Sequence, residues 1–251
     1  MTWLTGELAD PPWPAIRRFR PEVCVHAAWI ATPGVYLNAP ENRNFLRWST
    51  AFLSDLPEAG ASHLIGIGTC LEYAPGHHPL SEANTPLAPE TEYARAKHAL
   101  HVALNGRLAA SGATLSWVRL FNPYGPGEHP QRLATSVVHA MARGEVVRLM
   151  QPHAIKDYVH VDDVARALLL MCETRWNGDI NVGTGCGVQV LDIARIIGRL
   201  MGTAHLLPEP EPVAPGTNDR TVADASRLAG LGWRPATELV DGLAGLVQHL
   251  T

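Results

Sequence analysis

The chain has 251 residues, 46% of them apolar, with a net charge of -4 and a pI near 6.3. That length and apolar content suffice to bury a large core in one or two closely joined domains, and the mild acidity leaves no basic surface for nucleic acid. No apolar run reaches membrane-spanning length, and the N-terminus lacks the zones of a signal peptide. Cys24, Cys70, Cys172 and Cys186 are widely spaced and form no C-x-x-C pattern. They predict reduced thiols and a cytoplasmic protein, with neither a disulfide framework nor a zinc site.

In chain order, an apolar run predicts a strand at Val23–His26, and helical spacing runs from Asn42 to Leu56, ending near Gly60. A strand at His63–Ile67 leads into Gly68-Thr69, followed by a Pro, Gly and His-rich loop from Ala74 to Pro89, in which the adjacent His77 and His78 are not expected to hold a metal. A long helix is predicted over Glu90–Ala110, stopped by Ser111-Gly112, and then a strand over Leu115–Leu120. The glycine and proline-rich stretch Pro123–Pro130 marks a boundary, giving a core at residues 1–122 and a mixed core and substrate-side region at 123–251. Helices follow at about Arg132–Arg143, Val161–Glu173 and Val190–Met201, then a Pro/Glu-rich loop at Leu207–Pro215 and a last helix at Leu239–Leu250. Strands alternating with helices predict an α/β fold around a mostly parallel sheet. The cluster Gly183, Gly185 and Gly187 reads as a tight turn, since its spacing is not that of a phosphate-binding loop.

Only two lysines occur in the chain, and Lys97 follows Tyr93 by four residues inside the long helix. Residues four apart share a helix face, so the ammonium can sit beside the phenol and favour its ionised form. At ~4 Å and an effective dielectric of about 20 the attraction is on the order of 4 kcal/mol, roughly three pKa units. That brings a phenol toward neutral pH, where a proton-transfer group works best. Thr69 falls at the carboxyl end of a strand, the edge where open α/β sheets bind ligands. Its hydroxyl can orient a reacting oxygen; its plain alternative is a residue that closes the strand.

Seven segments in order carry a family resemblance: Val23 to Ala28, Gly68 to Tyr73, Tyr93-x-x-x-Lys97, Arg119 to Gly127, Lys156 to Val164, Asn181 to Gly185 and Leu231 to Pro235. With them the chain resembles the extended short-chain dehydrogenase/reductases, the NAD-dependent epimerase/dehydratase group that acts on nucleotide sugars. The resemblance implies a Rossmann-like sheet, NAD or NADP as cofactor, a nucleotide sugar as substrate, and a homodimer. It implies Tyr93, Lys97 and Thr69 as catalytic groups, and Ala27, Ala28, Trp29, Lys97, Glu7 and Leu8 as cofactor contacts. Substrate contacts would be Glu72, Tyr73, Asn122, Arg132, Lys156 and Arg220. Lys156 stands where most members carry Arg, keeping the charge without the planar two-point grip. Ala214 falls where many carry a further Arg, with Arg220 the nearest substitute. Asp157, Tyr158, His160 and Asp162 read as structural, with Asp162 or Asp163 capping a helix.

The resemblance starts at about Thr5, where the family has its third strand, so two strand-helix units and the G-x-x-G-x-x-G turn that holds the cofactor pyrophosphate are absent relative to the pattern. The remnant at Trp3–Leu8 is therefore expected to re-pair beside Val23–His26, or a second chain to cover that edge. Two functional alternatives stay open beside the redox enzyme. One is a cofactor-independent isomerase, lyase or cyclase using the same proton-transfer groups; the other is a non-catalytic partner subunit.

Overall fold

Short apolar runs alternate with amphipathic stretches to give the element order of a computed structural model, which describes residues 2–76, 79–209 and 219–251. His77, His78 and Ala214, named above, lie outside the described residues. Helix α1 spans Trp13–Phe19, strand β1 Val23–His26, α2 Asn42–Asp55, β2 His63–Thr69, α3 Glu92–Leu108 and β3 Thr114–Leu120. Then come β4 at Asn122–Tyr124, α4 at Leu133–Ala142, β5 at Ile155–His160, α5 at Val161–Thr174 and β6 at Gly178–Val182. The chain closes with β7 at Gly187–Gln189, α6 at Val190–Leu200, β8 at Arg220–Thr221, α7 at Ser226–Gly230 and α8 at Leu239–Leu250. Among the described residues no helix is long and apolar enough to cross a membrane.

Two compact units form, and neither is continuous in sequence. The first comprises Met1–Ala74, Pro86–Leu120 and Leu168–Ile180; the second comprises Pro75–Thr85, Phe121–Ala167 and Asn181–Thr251. A single cut after residue 122 therefore misses two exchanges. A parallel sheet needs long crossovers between neighbouring strands, and the chain returns after β5 to add β6 to the first sheet.

In the first unit the strand order is β1-β2-β3-β6, with β1, β2 and β3 parallel and in the register Val23↔His63 and His63↔Thr114. Leu53 of α2 and Leu56 just after it, Leu100, Leu104 and Leu108 of α3, and Leu64, Leu115 and Trp117 of the sheet form its core. Two glycines let Trp117 lie across β2: a Cβ on Gly66 would come within 2.5 Å of the indole, and one on Gly68 within 2.5 Å of both the indole nitrogen and Glu72.

The expected re-pairing of Trp3–Leu8 does not occur. That segment is coil apart from a single bridge between Glu7 and Asp10, and Trp3 is 84% exposed. Pro11 and Pro12 follow at once, and Pro12 caps the start of α1, so the chain turns into a helix where a strand would have to continue. Strand β1 remains an edge of its sheet.

His26 ends β1 in a buried position, its Nε2 2.9 Å from Ser49 Oγ. Burial, with the positive charge of Lys97 adding to it, lowers its pKa to about 4. An unfolded His binds its proton near pH 6.5, so stability is complete above that value and falls as the pH drops toward 4, by roughly 3 kcal/mol in all. Urea unfolding at pH 7 and pH 4.5 should show this loss in the wild-type chain and a flatter profile in His26→Gln; equal slopes would place the acid sensitivity elsewhere.

The second unit holds β4, β5 and β7 in that order, with β8 also paired to β5. Strand β4 runs parallel to β5 and β7 antiparallel to it. Helices α4, α6 and α8 cover a core of Val137, Val138, Met141, Ile193, Ile197, Leu243 and Leu246. Asp157, fully buried on β5, accepts from the amides of Thr184, Gly185 and Ala223 and from the Thr184 hydroxyl, which fixes the glycine turn as structure. Asp162 and Asp163 lie within the first turn of α5 rather than at a cap position, and the Asp163 carboxylate takes the amides of Ala236 and Thr237 and pairs with Arg166.

Candidate active site

Lys97 occupies a place in an otherwise core-facing stripe. Ala94, Lys97, His101, Leu104 and Leu108 recur at three and four-residue intervals along α3 and are all buried. The helix begins cleanly because Thr91 Oγ accepts from the amide of Ala94. Packing the stripe against the sheet thus carries the lysine inward until it is only 2% exposed. Its Nζ donates to the carbonyl of Ile67 at 2.7 Å and lies 4.0 Å from the centre of the Trp29 ring and 5.8 Å from that of Tyr93. Burial lowers its pKa to about 7, against the opposing pull of the Glu72 carboxylate. The sequence suggests an ammonium beside the phenol; in the fold, burial brings the exchange of the Lys97 proton near neutrality.

Tyr93 is half-buried at the start of the same helix, its amide donating to the carbonyl of Leu37 at 3.0 Å. The Tyr36 ring meets it edge-on at 4.8 Å and Trp29 at 6.5 Å. Thr69 ends β2, 6% exposed. Its Oγ accepts from the amide of Leu71 at 3.3 Å, leaving its own O–H to donate, and its amide donates to Glu72 Oε1 at 2.9 Å. This reciprocal cap pins the threonine at the strand end, above Ile67, whose carbonyl holds Lys97.

Glu72 and Tyr73 do not present polar atoms to a ligand. Glu72 is fully buried and takes hydrogen bonds from Thr69, from Trp117 Nε1 and, at 3.2 Å, from Arg119 Nε. Tyr73 is 5% exposed, its hydroxyl 3.4 Å from Arg119 Nη1. Arg119 reaches on to Asp179 at 2.9 Å, and Asp179 to His101 at 2.9 Å, whose ring stacks on Trp117. Glu72 is therefore a support for Thr69 rather than a substrate contact. Glu72, His98 and His101 bring donor atoms within 4.8 Å of one another, but the Arg119 guanidinium already neutralises the carboxylate such a cluster would need.

Of the expected cofactor contacts, Ala27 and Ala28 are exposed beyond β1, and Trp29 lies over Lys97. Glu7 and Leu8 lose their basis with the strand that was to carry them. The strands of the first unit run into other turns: β1 passes into Ala27-Ala28-Trp29, β2 into Cys70-Leu71-Glu72.

Within the second unit a cleft of about 560 Å³ gathers Asn122, Arg132 and Lys156, together with Arg148, Leu149 and Tyr158. Asn122 is anchored by its Nδ2, which donates to the carbonyl of Asp157 at 3.0 Å, and Arg132 stands at the start of α4. Lys156 Nζ is held by Asp219 at 2.5 Å and Thr221 at 3.2 Å. Arg220 is exposed on β8 and is not among the residues lining the cleft. Arg148, Arg119 and Asn42 were not singled out from the sequence; Arg119 gains its place through Glu72 and Asp179, both far from it along the chain.

The sequence profile described as the NAD dependent epimerase/dehydratase family matches residues 5–183. A UDP-glucose 4-epimerase of Mycolicibacterium smegmatis is 29% identical over 98% of this chain and 78% of its own length. A dTDP-L-rhamnose 4-epimerase of Burkholderia thailandensis is 31% identical over 63% of this chain and 46% of its own length. Among solved structures, MoeE5 in complex with UDP-glucose and NAD superposes with a TM-score of 0.81 at 25% identity, covering 98% of this chain and 84% of that one. The chain spans about half the length of many of the curated relatives it matches. Its α/β fold with parallel strands and the profile match over most of its length make it a member of the NAD-dependent epimerase/dehydratase family.

Proposed function

We propose that the chain modifies a nucleotide-linked sugar at a carbon bearing oxygen, as an enzyme of the epimerase, ketoreductase or dehydratase type. The observation that carries this reading is the burial of Lys97 on the helix face of Tyr93, below the end of β2 where Thr69 is pinned. A buried amine with no carboxylate hydrogen-bonded to it is costly to the fold and is kept for chemistry rather than stability. Tyr93 exchanges the proton of the sugar hydroxyl, Lys97 steadies the charge that develops on the phenol oxygen, and Thr69 donates its O–H to the reacting oxygen. Within the second unit, the cleft carries the positive charge of Arg132 and Lys156 and a polar edge at Asn122, chemistry suited to a phosphate group. Nicotinamide, when bound, supplies hydride exchange at the substrate carbon.

A second reading is proton transfer without redox, which the same three groups can carry out. Elimination, isomerisation or cyclisation needs only the Tyr93, Lys97 and Thr69 groups. Titration of the 251-residue chain with NADH and NADPH, followed by fluorescence, separates the two. Saturation below about 1 mM, a usual ceiling for a bound substrate, supports the redox enzyme. Binding of UDP or dTDP without either dinucleotide supports the second reading. Binding of neither leaves only a non-catalytic partner subunit.

A further inference from the structure

We propose that Trp29 is a positioning residue that acts through Lys97: its indole face, locked by Asn42, holds the ammonium in place and sustains its charge. The proposal concerns the ligand-free chain and stands apart from the identity of any substrate.

The ammonium has few partners. Ile67 supplies one carbonyl at 2.7 Å, and the Trp29 ring lies 4.0 Å away, well within the distance at which a cation is attracted to the negative face of an indole. The ionisable groups around it are His26 at the end of β1, Glu72 behind β2 and Tyr93 on α3 itself. His26 is held neutral at physiological pH by its burial. Glu72 acts only at a distance, its oxygens being committed to Thr69, Trp117 and Arg119. The indole face, 4.0 Å away, is therefore a group that rewards Lys97 for being charged.

The ring is held there by a built strap. Its Nε1 donates to Asn42 Oδ1 at 2.8 Å. Asn42 is fully buried and spends its amide donors on the carbonyls of Tyr36 at 2.7 Å and Ala39 at 2.9 Å. Tyr36 in turn packs on Tyr93, and Phe45 packs against Trp29 at 5.6 Å between ring centres. One asparagine thus ties the loop between β1 and α2 to both members of the Tyr93 and Lys97 pair. A surface loop with no such duty does not need a fully buried, fully engaged amide at its end.

Fluorinated tryptophans test this without altering shape, because each fluorine drains the ring face and weakens its hold on a cation. The chain would be prepared with 13C-labelled lysine, whose two Cε signals report Lys97 and Lys156 separately, and with ordinary, mono-, di- and trifluorinated tryptophan. The Lys97 midpoint should fall stepwise, by about one unit across the series, while Lys156 stays fixed. In Trp29→Phe the same series should be flat, which assigns the effect to this ring among seven tryptophans. A Lys97 midpoint that does not move with fluorination, or a slope that survives in Trp29→Phe, overturns the proposal. Both results leave substrate turnover untouched as a separate question.

Discussion

Replacement of Lys97 by Met is expected to make the fold more stable at pH 6 while reducing any turnover by at least about 10²-fold. An unfolded lysine keeps its proton to about pH 10.4, whereas the folded one releases it near 7. Between those values the unfolded chain binds more protons, so wild-type stability rises with pH across the window and is lowest below pH 7. The full cost of burying the charge is roughly 4 to 5 kcal/mol. Met removes it but leaves the Ile67 carbonyl without its donor, at about 1 to 3 kcal/mol. The net gain is then about 2 kcal/mol at pH 6 and disappears by pH 10. Urea unfolding of both chains at the two pH values checks this. A variant less stable at pH 6, or a difference that does not change with pH, would show that the amine is not held against its own hydration.

The opposite response is expected at Arg119. This residue is 1% exposed and joins Glu72, which has no exposure at all, to Asp179. Arg119→Met strands the Glu72 carboxylate in the interior, and breaking a buried pair in this way costs about 3 to 5 kcal/mol. For a chain of this size that lowers the melting temperature by roughly 10 °C. Adding Glu72→Gln should restore part of the loss, because the remaining amide still accepts from Trp117 without carrying charge. A double-mutant cycle measures the coupling directly. If the two losses simply add, the ion pair is not what supports the Thr69 cap.

The strands at β1, β2 and β3 and the helices from α2 to α6 were legible because their apolar residues recur at the spacing of one element type. Helix α1 was not, since Pro11, Pro12 and Pro14 read as breakers although one of them lies where a helix start tolerates it. The Trp3–Leu8 strand was inferred from resemblance alone, and the prolines just beyond it decide otherwise. Strand β5 lay hidden in a stretch recognised only for its polar residues, Lys156 to His160, whose alternation is masked by buried Asp157.

At the site, the Tyr93 and Lys97 pair is local and visible from its four-residue spacing, and so is the position of Thr69 at a strand end. The roles of Glu72 and Tyr73 were not visible, because the group that claims both, Arg119, is 47 residues from Glu72. Trp29 is expected from the resemblance only as a cofactor contact beside Ala27 and Ala28. Nothing in its own segment announces the bond to Asn42, 13 residues on, that swings the ring over Lys97. Local spacing names groups that can react; which of them are committed to structure depends on partners brought in by the sheet.

The most direct test of the account is conversion of nucleotide sugars by the wild-type chain and by Tyr93→Phe. UDP-glucose, dTDP-glucose and their 4-keto and 4-epimeric forms would be offered with and without NAD and NADP, and the sugar protons followed by NMR. The account predicts conversion of at least one of these by the wild-type chain and a loss of about 10² to 10⁴-fold in the variant, with the melting temperature little changed. Conversion that proceeds equally well without the Tyr93 hydroxyl would contradict it.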